Sequence, residues 1–123
     1  MVKGRKITGG KYKDFRKKKK HSRPGIVRKV KLRETKQKTI KGRGKTTKNV
    51  LLSTDKANII DPKSKKAKKT TIKNVLETPS NRFLARQNIL VKGAIIETEL
   101  GKAKITNRPS QEESVQAELL HNE

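Results

Sequence analysis

Between Gly93 and Arg108 the chain reads G-A-I-I-E-T-E-L-G-K-A-K-I-T-N-R, with apolar and charged positions alternating on both sides of Leu100-Gly101. Side chains alternate between the two faces of a strand, so this pattern predicts a β-hairpin. With Leu100-Gly101 as a two-residue turn, Glu99 faces Lys102, Thr98 faces Ala103, Glu97 faces Lys104 and Ile96 faces Ile105. One side then holds two opposite-charge pairs, while Ile96, Thr98, Ala103 and Ile105 make the other apolar. A slip of one residue would mix the two sets, which fixes the register, and Gly101 supplies the positive φ of the turn. A lone hairpin is marginal in water, so other strands must cover the apolar side.

Those strands are found by the same periodicity. Ile26 to Arg33 alternates with Ile26, Val30 and Leu32 on one face, after a break at Arg23-Pro24-Gly25. Lys36–Lys41 and Thr46–Ser53 flank Gly42-Arg43-Gly44-Lys45 as a second hairpin with two cations at its tip. Ala57–Ile60 is a short strand, Asp61-Pro62-Lys63-Ser64 a type I turn, and Lys68–Leu76 the return strand with Ile72 and Leu76 on one face. Thr78-Pro79 signals the start of a helix of one or two turns through Gln87. Asn88–Val91 is apolar, Arg108-Pro109-Ser110-Gln111 is a turn, and Val115, Ala117 and Leu119 alternate as a last strand. Many short strands with almost no helical periodicity predict an all-β fold, a small antiparallel β-barrel. Closure into a barrel removes exposed sheet edges.

Charge divides the chain in a way that hydropathy does not. Of 123 residues, 34 are Lys or Arg and 11 Asp or Glu, a net charge of +23. Residues 1–50 hold 21 basic and 2 acidic side chains, residues 51–123 only 13 and 9. The first part buries too little apolar surface to offset its ordering entropy and self-repulsion, so much of it is expected to be extended until a polyanion neutralises it. The expected division is a basic extension over 1–25, a barrel over 26–120 and a frayed tail over 121–123. With no cysteine there is neither a disulfide framework nor a thiolate metal site. No apolar run approaches the roughly 18 residues of a membrane span, and the first twenty residues lack the apolar stretch of a signal peptide. A cytoplasmic protein with a polyanionic partner, and neither a membrane nor a small-molecule substrate, is the expectation.

Candidate contacts to that partner fall into four groups. The first is the N-terminal run Lys3, Arg5, Lys6, Lys11, Arg16, Lys17, Lys18, Lys19, Lys20 and Arg23, with a flexible bend at Thr8, Gly9 and Gly10 and rings at Tyr12 and Phe15. Cations with interleaved rings suit RNA, since rings stack on unpaired bases, although the rings serve equally to pin the arm onto protein. The second is Arg43 and Lys45 at the hairpin tip. Gly44-Lys45-Thr46 resembles the end of a phosphate loop, but Thr39 stands where its first glycine belongs, and neither the preceding strand nor the following helix is present. The third is Lys65, Lys66, Lys68 and Lys69 around the Asp61 turn, read as phosphate contacts rather than as lysines that only keep an edge soluble. The fourth is Arg82 and Arg86, four apart on the short helix, together with Arg108.

Taken together, Thr8-Gly9-Gly10-Lys11-Tyr12 with the lysine-rich stretch after it, Ala57-Asn58-Ile59 with Asp61-Pro62-Lys63, and the run Asn88 to Pro109 resemble the ribosomal protein S8e family of the small subunit, in its short archaeal form. The resemblance spans nearly the whole chain. It departs at Gly42-Arg43-Gly44-Lys45, where the family usually has Arg-Gly-Gly-Asn, and at Ser110-Gln111-Glu112-Glu113, where it usually has Gly-Gln-Asp-Gly. It implies a β-barrel with a basic N-terminal extension, bound to small-subunit ribosomal RNA beside neighbouring ribosomal proteins, without cofactor, metal or catalytic activity.

Two other readings compete. A basic nuclease would need catalytic groups, but the two histidines, His21 and His121, lie at opposite ends of the chain, and Glu97 and Glu99 each face a lysine. A free nucleic-acid chaperone or compacting protein is allowed by charge alone, and is told from a ribosomal protein by whether the arm has one RNA site or none.

Overall fold

Nine strands make two sheets around one core in the computed structural model, which describes residues 4–12, 19–23, 25 and 27–120. The strands are β1 Val30–Leu32, β2 Lys36–Lys41, β3 Thr47–Thr54, β4 Lys56–Ile60, β5 Ala67–Glu77, β6 Ile89–Leu90, β7 Ile95–Thr98, β8 Gly101–Ile105 and β9 Gln116–Leu119, with one short helix, α1 Arg82–Arg86. Strands β4-β5-β7-β8-β9 close a barrel, and β2-β3-β1-β6 form a separate four-stranded sheet. Val30, Leu51 and Leu90 of that sheet are buried with Ile59, Ile72, Val75, Ile96, Ile105 and Val115 of the barrel. The expected all-β barrel is therefore present, but it uses five strands, and the others form a sheet that local periodicity did not separate from it.

Nor is every pairing antiparallel. Each step around the barrel from β4 through β9 reverses direction. After an odd number of alternating strands the first and last point the same way, so the closing pair β4–β9 is parallel, with Asn58 beside Gln116. Strand β1 also lies parallel to β3 and antiparallel to β6. It spans three residues rather than the run from Ile26 to Arg33, and Ile26 lies outside the described residues.

The β7–β8 hairpin keeps its predicted faces but not its predicted partners. Thr98 pairs with Gly101, Glu97 with Lys102, Ile96 with Ala103 and Ile95 with Lys104, so Glu99-Leu100 is the tip. A mirror-image turn at Leu100-Gly101 would force Leu100 to a positive φ. Instead neither Glu99 nor Leu100 has one, Gly101 takes φ 124° just after the tip, and the Thr98 hydroxyl donates to the Gly101 carbonyl at 2.8 Å. Each partner thus moves by two positions, which preserves the faces. Ile96, Thr98, Ala103 and Ile105 are buried, and Glu97, Glu99, Lys102 and Lys104 exposed. Glu99 accepts from the Thr71 hydroxyl at 2.7 Å and does not face Lys102.

Two further expectations change for local reasons. In β5, irregular register between Ile72 and Asn74 and between Val75 and Glu77 shifts the alternation, so Val75 joins Ile72 in the core and Leu76 is exposed. The helix is capped by Asn81, whose side chain accepts from Phe83 N–H at 2.9 Å. Thr78 instead turns inward, 2% exposed, and its hydroxyl finds no protein partner. Among the described residues no helix is long and apolar enough to cross a membrane.

Candidate nucleic-acid interface

The β2–β3 hairpin forms around the predicted glycine-rich tip, with β2 as expected and β3 running one residue later, Thr47–Thr54 rather than Thr46–Ser53, and its outer part is solvated. From Lys36 to Lys48 there are six cations and no acid, and all six are exposed. The tip is firmly built. Gly42 N–H donates to Thr46 O at 2.7 Å, the Thr46 hydroxyl donates to Arg43 O at 2.7 Å, and Gly44 takes φ 65°. Arg43 and Lys45 thus stand on a fixed loop rather than a floppy one. Pairing places Lys38 beside Val50 and Lys48 beside Ile40, so these two lysines share one face of the ribbon. The other face carries the core residue Leu51 at its base and is otherwise polar and tied to the rest of the domain: Thr39 donates to Asn49, and the side chains of Gln37 and Asn49 donate to Glu113.

Around Asp61 the chain makes a wider turn than the predicted type I. Lys65 N–H, not Ser64 N–H, closes on Asp61 O at 2.8 Å, and Lys65 is left at φ 53°, a strained conformation for a side-chain-bearing residue. The Asp61 carboxylate fixes the turn by accepting from Lys63 N–H at 3.0 Å and from the Ser64 hydroxyl at 2.8 Å. The lysines beyond it do not form one patch. Asn58 pairs with Lys69 and Lys56 with Thr71, which puts Lys56 and Lys69 on the outer wall, whereas Lys68 pairs with the buried Ile59 and belongs to the inward row.

Near the N-terminus, Arg5 bridges to Lys11 and the intervening bend is closed by Lys6 N–H to Gly10 O and Gly9 N–H to Lys6 O, both 2.9 Å. Gly9 takes φ 78°, which glycine adopts without strain, and Thr8, Gly9 and Gly10 are all exposed. The Lys6 ammonium lies 5.8 Å from the centre of the Tyr12 ring, a cation–π contact that leaves the ring 55% exposed. Lys19, Lys20 and Arg23 are exposed beside a single 3-10 turn at Lys20–Ser22. Lys3, Phe15, Arg16, Lys17 and Lys18 lie outside the described residues, as does the tail 121–123. Arg82, Arg86 and Arg108 are exposed.

Sequence reasoning missed Phe83, which is 62% exposed between Arg82 and Arg86, because one ring on a five-residue helix makes no period. It also passed over Lys36, Lys38, Lys41 and Lys48, which the absence of any acid between Lys36 and Lys48 would have marked. The barrel wall made by β7, β8 and β9 is different in kind. There Glu97 pairs with Lys102 and Lys104 with Glu118, so acids and bases alternate across β7, β8 and β9. Among the described residues no three His, Asp or Glu side chains gather as a metal site.

Comparison with known proteins places this cationic surface in context. A family model described as Ribosomal protein S8e matches residues 2–120. The small ribosomal subunit protein eS8 of Methanococcus aeolicus is 45% identical over 118 residues, covering 95% of this chain and 92% of that protein. The protein of the same description from Sulfolobus acidocaldarius is 45% identical over 118 residues, covering 94% and 91%. That from Haloarcula marismortui is 42% identical over 116 residues, covering 94% and 93%.

Proposed function

The chain belongs to the ribosomal protein S8e family, and on that premise we propose that it is a structural protein of the small ribosomal subunit that binds and stabilises ribosomal RNA, and that it has no catalytic role. The observation that carries this is the acid-free hairpin from Lys36 to Lys48, with six exposed cations on a fixed ribbon. Self-repulsion at that density is relieved by a polyanion, and each neutralised phosphate releases condensed counterions. A paired RNA helix hides its base edges in a deep groove, so such a ribbon reads phosphates and shape.

Arg43 and Lys45 at its tip, Lys65 and Lys69 beside the barrel wall, and Arg82, Arg86 and Arg108 serve as phosphate contacts that set register. Residues 1–25 act as a cationic arm on the same RNA, ahead of the domain over 26–120. Its bend at Thr8, Gly9 and Gly10 allows close approach, and Tyr12 offers a half-exposed ring for a base or a neighbouring ribosomal protein. The charge-balanced wall of β7, β8 and β9 faces solvent or protein, and the setting is the cytoplasm.

The test is the amount of this protein per small subunit in ribosomes purified through a high-salt wash. One copy per subunit is expected. A fraction of a copy, with most of the protein following bulk nucleic acid, would replace this reading with that of a free compacting protein.

A further inference from the structure

The barrel has one end at which β4 and β9 finish, β5 begins and the β7–β8 tip lies, and a cleft of about 280 Å³ opens there. Ile59, Asp61, Lys66, Lys68, Leu100 and Leu119 line it. Its chemistry follows from the register. On the inward row of β5, Ile72 is core, Thr70 pairs with Ala57, and Lys68 pairs with Ile59, so the row that is apolar deep in the barrel becomes cationic at the mouth. The floor is Ile59, 1% exposed, and the rim includes Leu100, 43% exposed. Lys66 follows the strained Lys65, whose conformation is held by the Asp61 bonds, and Lys68 stands on β5, so both cations are carried on hydrogen-bonded backbone.

An apolar floor with two cations on its edge, and one carboxylate, Asp61, that is engaged by Lys63 N–H and the Ser64 hydroxyl, fits a ligand with a flat apolar part and an anionic part. We propose that this mouth holds one unpaired ribonucleotide, its base against Leu100 and Leu119 and its phosphate between Lys66 and Lys68. The proposal rests on the RNA-binding reading above and deepens it. Barrel mouths are a common place for such sites, and RNA recognition outside paired helices works by splaying single bases into protein clefts. The favoured occupant is a nucleotide within a strand rather than an acidic peptide because of what surrounds the cleft. Five lysines stand within residues 63–69, and the phosphates on either side of a bound nucleotide engage those that the mouth leaves unused. A single side-chain carboxylate would leave most of them uncompensated.

The test follows isoleucine and leucine methyl and backbone amide signals of the full-length protein during titration with 5′-AMP, inorganic phosphate, and an N-acetylated Leu-Asp dipeptide. 5′-AMP is expected to move the Ile59, Leu100 and Leu119 methyls together with the amides from Ser64 to Lys68, and phosphate the amides alone. Leu100→Ser, at an exposed tip, should weaken 5′-AMP about fivefold or more with phosphate binding unchanged, as expected for losing one apolar side chain from the contact. The double variant Lys66→Gln, Lys68→Gln should weaken 5′-AMP while leaving the response to adenosine intact. If 5′-AMP moves only the amides that phosphate moves, or if the dipeptide moves the methyls at lower concentration than 5′-AMP, the proposal is overturned. Binding of poly(A)·poly(U) duplex separates the two levels: Leu100→Ser should leave it unchanged, and its absence in the unaltered protein would overturn the RNA-binding reading itself.

Discussion

The β2–β3 and β7–β8 hairpins are similar ribbons with opposite uses. In β7–β8 the alternation of Ile96, Thr98, Ala103 and Ile105 with Glu97, Glu99, Lys102 and Lys104 buries one face completely and balances charge on the other. In β2–β3 only Val50, Leu51, Ser53 and Thr54, at the base of the ribbon, are buried, and the outer part carries cations without acids. The first hairpin is held by what it covers. The second is held by its tip, by backbone pairing and by polar bonds to Glu113, and leaves its side chains available to something else. Charge without burial marks the surface proposed for a partner, and charge balanced over burial marks the wall of the domain.

The comparison breaks most sharply at Ile96. Replacing Ile96, fully buried in the barrel, with Asp should destabilise the domain by about 3–5 kcal/mol, since it leaves an unpaired charge in a small core. Lys38→Asp should change stability by less than about 0.5 kcal/mol. Urea denaturation midpoints measure both, and comparable losses would mean that β2–β3 is also a core element. Next in size is the response to salt. Replacing Lys38, Lys41, Arg43, Lys45 and Lys48 with Gln should reduce the slope of log affinity against log salt on a structured RNA by about 3–5, at about 0.7–0.9 per phosphate contact. Lys102→Gln with Lys104→Gln should change it by less than about 1. Equal losses would show a diffuse positive field rather than a defined face. The smallest effect sharpens the register: a double-mutant cycle should give about 0.2–1 kcal/mol of coupling between Glu97 and Lys102 and nothing measurable between Glu97 and Lys104.

What could be read from the sequence follows from range. Both hairpins were legible because a glycine at or beside the tip and a period of two are local signals. The partners within β7–β8 were not, because a single φ at Gly101 decides where the tip falls, and a shift of two residues leaves the hydropathy pattern unchanged. The four-stranded sheet was invisible as a separate unit: β1 and β6 have three and two residues, and the β1–β3 pairing is parallel. No periodicity survives in elements so short. The same holds for the candidate interface. The lysine cluster near Asp61 was evident, but its division between wall and mouth depends on β4–β5 register, through Lys69 beside Asn58 and Lys68 beside Ile59. Leu76 was expected inside because strict alternation says so, and the irregular register of β5 against β7 places Val75 there instead.

The parallel closing pair sets the order in which this domain becomes complete. Asn58 and Gln116 are neighbours in space and far apart along the chain, and the Asn58 N–H donates to Val115 O at 2.9 Å. Every other contact between neighbouring barrel strands joins segments closer in sequence, so closure carries the largest loop-entropy cost and comes late in folding. During synthesis β9 is also the last strand to emerge. Until it docks, β4 and β8 each present an unpaired edge, open to pairing with another chain, beside a cluster of lysines that discourages it. The positive charge proposed above for contact with RNA thus also guards the unfinished barrel while it waits for its final strand.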